Sequence, residues 1–267
     1  MLADRHNAKY APSVPSPTTA LIRRPPRSYQ VFYAARGVEI DLVRADRQHS
    51  AYVAALRSAG LGIETIEPDE RFPDCVFIED TAVVWQDRAL RACMTPHREG
   101  EQSAAIAHLR RRHHIVTLAP GATLDGGDVM HAGETTYVGR SSRTNAAAVA
   151  ALRDFLAPRR VIEVPVERCL HLKSAATWLG EGTVLAARDL VDVSWFEVDR
   201  VLFTAPGEDR AANTLRIGSD LLMLDGYPAT AAVLCDFAAK HQVTLHPLDM
   251  SEFEKGDGSL TCLSIIR

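Results

Sequence analysis

The chain has no C-x-x-C pair among its five cysteines, no apolar run long enough to cross a bilayer and no leader-like start. The first absence excludes a zinc knuckle, and an odd, scattered set of thiols excludes a disulfide framework; a reducing, cytoplasmic setting is expected. With the other two, a soluble protein is expected. Long basic runs with interleaved aromatics are also missing, and 30 basic against 34 acidic residues leave a formal charge of −4, so nucleic acid is not an expected partner. The one dense cationic stretch, HLRRRHHIV, follows a helix-like segment and reads as a solvated helix end.

Familiar reaction signatures are absent as well. There is no G-x-S-x-G elbow, no G-x-x-x-x-G-K-[ST] loop, no H-E-x-x-H and no calcium loop. LDGGD fails as a dinucleotide fingerprint, because its glycines are adjacent and no further glycine follows at the required spacing. Neither a metal nor an organic cofactor is expected.

What is present is an average globular composition, 46% hydrophobic and 24% charged, with enough apolar residues for a core that spans most of the chain. Residues 1–18, with Pro12, Pro15 and Pro17 among small polar residues, read as a flexible tail, and 19–267 as a single domain. DRQHSAYVAALRSAG reads as a helix ending at Gly60, and LGIETIEP as the strand after it.

Three later stretches share one grammar of polar cluster, apolar strand, short turn and second strand: DCVFIEDTAVVWQDRALRAC, TLDGGDVMHAGETTYVGR and HLKSAATWLGEGTVLAAR. Helix-like segments follow the first two, whereas none is clear after the third. NTLRIGSDLLMLDG with TAAVLCDFAAKH, and the terminal SLTCLSII, extend the series. Corresponding polar positions at Asp80, Asp125, His171, near Leu215 and at Cys262 recur at intervals of about 44 to 47 residues, which gives five ββαβ-like units. Such a unit cannot bury its apolar face alone, so the units are expected to pack in a ring with their polar clusters near a common centre. SLTCLSII lacks a hairpin partner, and TTALIRR supplies one by closing the ring, which would pin Cys262 in place.

A thiol nucleophile needs a proton-transfer partner, and that partner needs a group to orient it. Cys262, His171 and Asp125 occupy corresponding points of separate units and are the candidates. Each also has a structural alternative: a core thiol, a satisfied histidine, and a turn residue locked by Gly126 and Gly127. Asp74, Glu79 and Asp80 flank an apolar strand, where strict alternation would put Glu79 and Asp80 on opposite faces unless the backbone bends. Carboxylates in one plane suit a planar guanidinium, while strand-end solvation is the competing reading. Arg98 and Arg143 are candidate two-point carboxylate clamps, or simply surface arginines.

Taken in order, PDCVFIEDTAVV, TLDGGDVM, VGRSSRTN, HLKS and DGSLTC resemble the dimethylarginine dimethylaminohydrolases, within the guanidino-group-modifying superfamily, over about residues 20–266. The resemblance implies a five-bladed α/β-propeller, the pentein fold. It also implies Cys262 as nucleophile, His171 as general acid and base, and Asp125 as the carboxylate that orients His171. It makes Asp74, Glu79 and Asp80 substrate-binding acids, and Arg98 and Arg143 contacts to the amino-acid end. Gly256 and Pro25 stand in substrate-contacting or lid segments, where the family has a small apolar residue and a leucine.

Lys173 stands where arginine deiminases resembling this pattern carry an aspartate, which favours an N-methylated arginine over arginine. The implied reaction is hydrolysis of a small-molecule methylarginine to citrulline and a methylamine, with a homodimer as the one assembly to consider. An arginine-deiminase-like or amidinotransferase activity on another guanidino compound, and a non-catalytic methylarginine-binding protein, remain as alternatives.

Overall fold

The computed structural model describes residues 17–267, so the tail read over residues 1–18 falls, up to residue 16, outside the described residues. Thr18 is already part of the fold: its N–H donates to Arg267 O at 2.9 Å and its carbonyl accepts from Gly62 N at 2.9 Å.

β1 (Thr19–Arg23) is followed by helices α1 (Arg27–Ala34) and α2 (Leu42–Ser58) and by β2 (Gly62–Ile66). β3 (Ala82–Trp85), β4 (Arg88–Arg91), α3 (Gln102–Leu109) and β5 (His114–Thr117) form a second unit, and β6 (Val129–Ala132), β7 (Thr135–Arg140), α4 (Ala146–Leu156) and β8 (Arg160–Pro165) a third. The helical turn α5 (Leu172–Ala175) leads into β9 (Ala176–Gly180), β10 (Thr183–Ala186) and β11 (Arg200–Phe203). β12 (Leu215–Ile217), β13 (Asp220–Leu224), α6 (Pro228–His241) and β14 (Thr244–Leu248) follow, then α7 (Ser251–Glu254) and β15 (Ser264–Ile266).

Every sheet has three strands and one pattern: the middle strand is antiparallel to the first and parallel to the third. The parallel step demands a crossover, and a helix supplies it in four units. In the β10–β11 unit the crossover contains only the 3-10 turn Val193–Trp195, which is why no helix was legible there. The expected ring closure is present. β1 is the middle strand of the first sheet, with β2 parallel on one side and β15 antiparallel on the other, in register Ala20↔Ile266, Leu21↔Ile265 and Ile22↔Ser264. The five sheets thus make an α/β-propeller.

Local chemistry sets the element ends. Asp41 caps α2 by accepting from Arg44 N at 3.0 Å, and Gly60 ends that helix at a φ of +90°. Asn145 caps α4 through Ala148 N at 3.1 Å, and Pro228 opens α6. α2 buries Ala45, Gln48, His49, Tyr52, Val53, Ala55 and Leu56, a stripe of helical period turned toward the sheet. Closure is held by apolar burial as well as by the ladder. Leu21 and Ile265 lie in one cluster with Ile78, Ala82 and Ala89, and truncating such a leucine to alanine costs roughly 2–5 kcal/mol.

A short helical turn precedes the first strand of each sheet: Ile78–Thr81, Gly126–Asp128, α5, Asp209–Ala212 and Thr261–Leu263. The recurring polar positions lie in or flank these turns, Asp80 and Cys262 within them, Asp125 and His171 just before them. The fourth, placed near Leu215 by the spacing, is Asn213.

Candidate active site

Cys262 lies on the Thr261–Leu263 turn, which a neighbouring unit clamps. Asn213 Oδ1 accepts from Thr261 N at 3.1 Å, and its amide nitrogen donates to Thr261 Oγ1 at 3.0 Å and Lys173 O at 2.9 Å. Gly258 permits the approach to this turn, because a Cβ there would lie 2.0 Å from Phe77 Cε1. The thiol is deep but reachable, on the wall of a cavity of about 320 Å³ that Cys169, Ser174, Arg210, Asp257 and Ser259 also line. Burial, with the negative fields of Glu79 and Asp80, pushes the Cys262 thiol up to about 12. At rest it is therefore protonated.

His171 is 4% exposed and sits among three aspartates. Its Nε2 is 3.1 Å from Asp125 Oδ2 and its Nδ1 is 3.9 Å from Asp80 Oδ1. Burial opposes the imidazolium, but Asp80, Asp125 and Asp128 together outweigh it and raise the histidine to about 9. His171 and Asp125, candidates for one proton-transfer pair, are thus in hydrogen-bond contact. The adjacent glycines of LDGGD do more than turn the chain. A Cβ on Gly127 would lie 2.6 Å from His171 Nδ1 and 2.9 Å from Asp80 Oδ1, and one on Gly126 would lie 2.0 Å from Glu79 O. Donor atoms of Asp80, Asp125 and His171 lie within 4.8 Å of one another, close enough to hold a cation. Asp80, however, is already engaged by Arg98 at 2.7 Å and Gly127 N at 3.0 Å, so the arrangement is read as a charge network.

Asp128, which the motif reading passed over, is buried and fully used. It accepts from Leu172 N at 2.9 Å, Ser141 Oγ at 2.6 Å and Thr144 Oγ1 at 2.7 Å. It thereby anchors the residue after His171. The second aspartate of DGGD was the available signal.

The remaining candidates separate by environment. The 3-10 turn at Ile78–Thr81 bends the backbone, so Glu79 and Asp80 escape strand alternation, and both reach the site interior. Glu79 Oε1 is 2.5 Å from Lys173 Nζ, an interaction the sequence did not reveal. Burial raises the Glu79 carboxyl against the pull of Lys173, and Thr261 lies near enough to help hold its charge, yet Oε2 has no donor within hydrogen-bond distance. Asp125 Oδ1 is likewise buried without a donor.

Arg98 departs from expectation. It is 6% exposed, and its fork is spent on Glu101 through Nε and Nη2 and on Asp80 through Nη1. It helps to hold Asp80 ionised. Arg143 is more open: Nη1 donates to Thr95 Oγ1 at 3.0 Å and lies 3.9 Å from Asp125 Oδ2. Asp74 is half-buried and accepts from Tyr33 of α1 at 2.9 Å. Pro25 is buried and, with Pro26, stops β1 and launches α1. Gly256 lies against the same helix, through its carbonyl to Tyr33 at 3.2 Å.

A five-unit α/β-propeller that gathers a thiol, a histidine–aspartate pair and unmatched carboxylates at one end defines the class of cysteine-dependent guanidino-modifying hydrolases. No protein-family model matches the chain. It is 39% identical over 253 residues to the N(G),N(G)-dimethylarginine dimethylaminohydrolase of Streptomyces coelicolor, covering 92% of this chain and 95% of that one. To the enzyme of the same name from Pseudomonas aeruginosa it is 30% identical over 231 residues, covering 84% and 89%. The solved Pseudomonas aeruginosa structure, a cysteine-to-serine mutant complexed with citrulline, superposes with a TM-score of 0.85 at 26% identity, over 94% of this chain and all of that one. The chain belongs to the dimethylarginine dimethylaminohydrolase family.

Proposed function

We propose that this protein hydrolyses N-methylated arginines to citrulline and a methylamine through a covalent intermediate on Cys262. The observation that carries the reading is the pair of donorless buried oxygens, Glu79 Oε2 and Asp125 Oδ1, in the network around His171 and Cys262. A buried acceptor without a donor costs about 1–3 kcal/mol. The planar N–H array of a guanidinium is a fitting partner for such acceptors.

Substrate binding also supplies what the resting thiol lacks. A guanidinium placed beside Cys262 offsets the carboxylate fields that raise it, so the thiol releases its proton to solvent and the thiolate forms against its own electrophile. Sulfur attacks the guanidinium carbon and a C–S bond forms. His171, protonated at neutral pH, gives its proton to the departing methylamine nitrogen as the C–N bond breaks, leaving an S-alkylthiouronium. The neutral His171 then takes a proton from water, whose oxygen attacks the same carbon. The C–S bond breaks, the hydroxyl proton of the adduct passes to the departing sulfur, and citrulline leaves with the thiol restored. Asp125 orients the imidazole throughout, Asp80 and Asp128 favour its charged form, and Arg143 remains the contact to the amino-acid end.

The substrate is a small molecule and the propeller is one catalytic unit. No helix of the described residues is long and apolar enough to cross a membrane, and the five cysteines are all free, which suits a reducing cytoplasm. The test is citrulline release from asymmetric dimethylarginine, monomethylarginine and arginine in parallel, with Cys262→Ser as control. Release from the methylated substrates over arginine, reduced roughly a thousandfold or more by the serine, is expected. Citrulline from arginine alone would replace the reading with a deiminase.

A further inference from the structure

The repeat sets a polar residue at corresponding places of its units, and Asp80, Asp125, His171 and Cys262 are the charged or reactive ones. The remaining one, Asn213, is neutral, 3% exposed and on the wall of the cavity beside Cys262. Its amide meets two backbones. The oxygen accepts from the N–H of Thr261, the residue before Cys262, and the nitrogen donates to the carbonyl of Lys173, in the turn that follows His171.

Only an amide suits this place. The N–H on one side needs an acceptor and the carbonyl on the other needs a donor, and asparagine offers both in one planar group. An aspartate would set a carboxylate against Lys173 O. It would also add negative field beside a thiol that Glu79 and Asp80 already raise.

The backbone that carries Asn213 is itself held. Thr177 of β9 donates its hydroxyl to Ala212 O at 2.6 Å and accepts from Thr214 N at 3.2 Å, so it grips the residue on each side of Asn213. Thr214 Oγ1 lies 2.7 Å from the same hydroxyl, and Thr177, Ala212 and Thr214 are all buried. The His171 turn is thus anchored twice. Asp128 holds Leu172 N from the third unit, and Asn213 holds Lys173 O while also holding the Cys262 turn.

We propose that Asn213 is a positioning residue that sets the Cys262 turn against the His171 turn, so that the imidazole reaches the nitrogen leaving the carbon that sulfur has attacked. This rests on the methylarginine reading and assigns to that reaction a residue that touches neither the substrate nor the proton.

The test varies the leaving group. kcat/KM is measured for N(G)-methyl-L-arginine, whose amine must be protonated to depart, and for S-methyl-L-thiocitrulline, whose methanethiolate departs unaided. The proteins are the parent, Asn213→Ala and Thr177→Val, each checked for folding by circular dichroism. Asn213→Ala is expected to lose about a hundredfold on the methylarginine and less than about tenfold on the analogue. Thr177→Val should show the same preference with about a tenfold loss on the methylarginine, and it decides the matter if Asn213→Ala does not fold. Calorimetry in the Cys262→Ser background should find methylarginine binding changed by less than about threefold.

Equal losses on the two substrates, or no loss in a folded variant, would overturn the inference and leave the methylarginine reading standing. Weakened binding that accounts for the whole loss would overturn it in the same way. A parent protein that releases citrulline from neither substrate, or from the analogue alone, would overturn the methylarginine reading and the Asn213 assignment with it.

Discussion

Lys173 Nζ lies 2.5 Å from Glu79 Oε1, an ion pair between residues 94 apart in sequence, each side chain 13% exposed. It joins the turn after His171 to the turn that carries Asp80, and it lies within electrostatic reach of Cys262. It also leaves Glu79 one open oxygen.

Lys173→Met is expected to destabilise the protein by about 3 kcal/mol, because it strands a buried carboxylate, and Glu79→Gln added to it should recover more than half of that loss. Urea midpoints of the two single variants and the double one decide the point. Simple addition of the single effects would show that the pair is not coupled.

Gly127→Ala should cut turnover about a hundredfold, since its methyl would have to push the His171 ring or the Asp80 carboxylate out of position. Steady-state kinetics on folded protein, checked by circular dichroism, measure it. A variant that is fully active and as stable as the parent would mean the ring accommodates the methyl without losing its aim.

Asp128→Ala removes the acceptor for Leu172 N and for two hydroxyls at once, and should cost about 2–4 kcal/mol. Turnover should fall as well, because the residue after His171 loses its anchor. Chemical denaturation and citrulline assays on the same preparation report both effects.

His171 gives a pH signature with a defined sign. Its folded-state value, about 9, lies above its ordinary 6.5, so the folded protein holds the proton more tightly than the unfolded chain. Its contribution to stability is complete below about pH 6.5 and is lost as the pH rises through about 9. The urea midpoint should therefore fall between these values, and more steeply than in His171→Gln. The rate of amine departure should decline over the alkaline part of the same range, as the general acid loses its proton. Parallel pH curves for the parent and His171→Gln would remove His171 from that role.

The propeller was legible because each unit repeats a strand, turn and strand whose apolar alternation needs no partner to be seen. The ring closure followed from counting: SLTCLSII had one strand too few and TTALIRR one too many. The crossover between β10 and β11 was not legible, because Val193–Trp195 is a single 3-10 turn with no period to detect. In the site, Cys262, His171 and Asp125 showed through their shared register, and the His171–Asp125 contact followed it. The partners of Arg98 were not legible, since an arginine beside a turn reads the same whether its fork faces a ligand or is engaged by Asp80 and Glu101, as it is here.

Sequence alone determined the number of units and the register of the polar turns that gather Asp80, Asp125, His171 and Cys262, because strand period and repeat spacing are local properties of the chain. Tertiary structure decided which charges are paired: Glu79 with Lys173, Asp80 with Arg98, Asp128 with the backbone after His171, and Asp74 with Tyr33. All but the Asp80–Arg98 pair, which spans 18 residues within one unit, join turns and helices of different units. Their strength depends on the removal of water, which only the closed ring brings about.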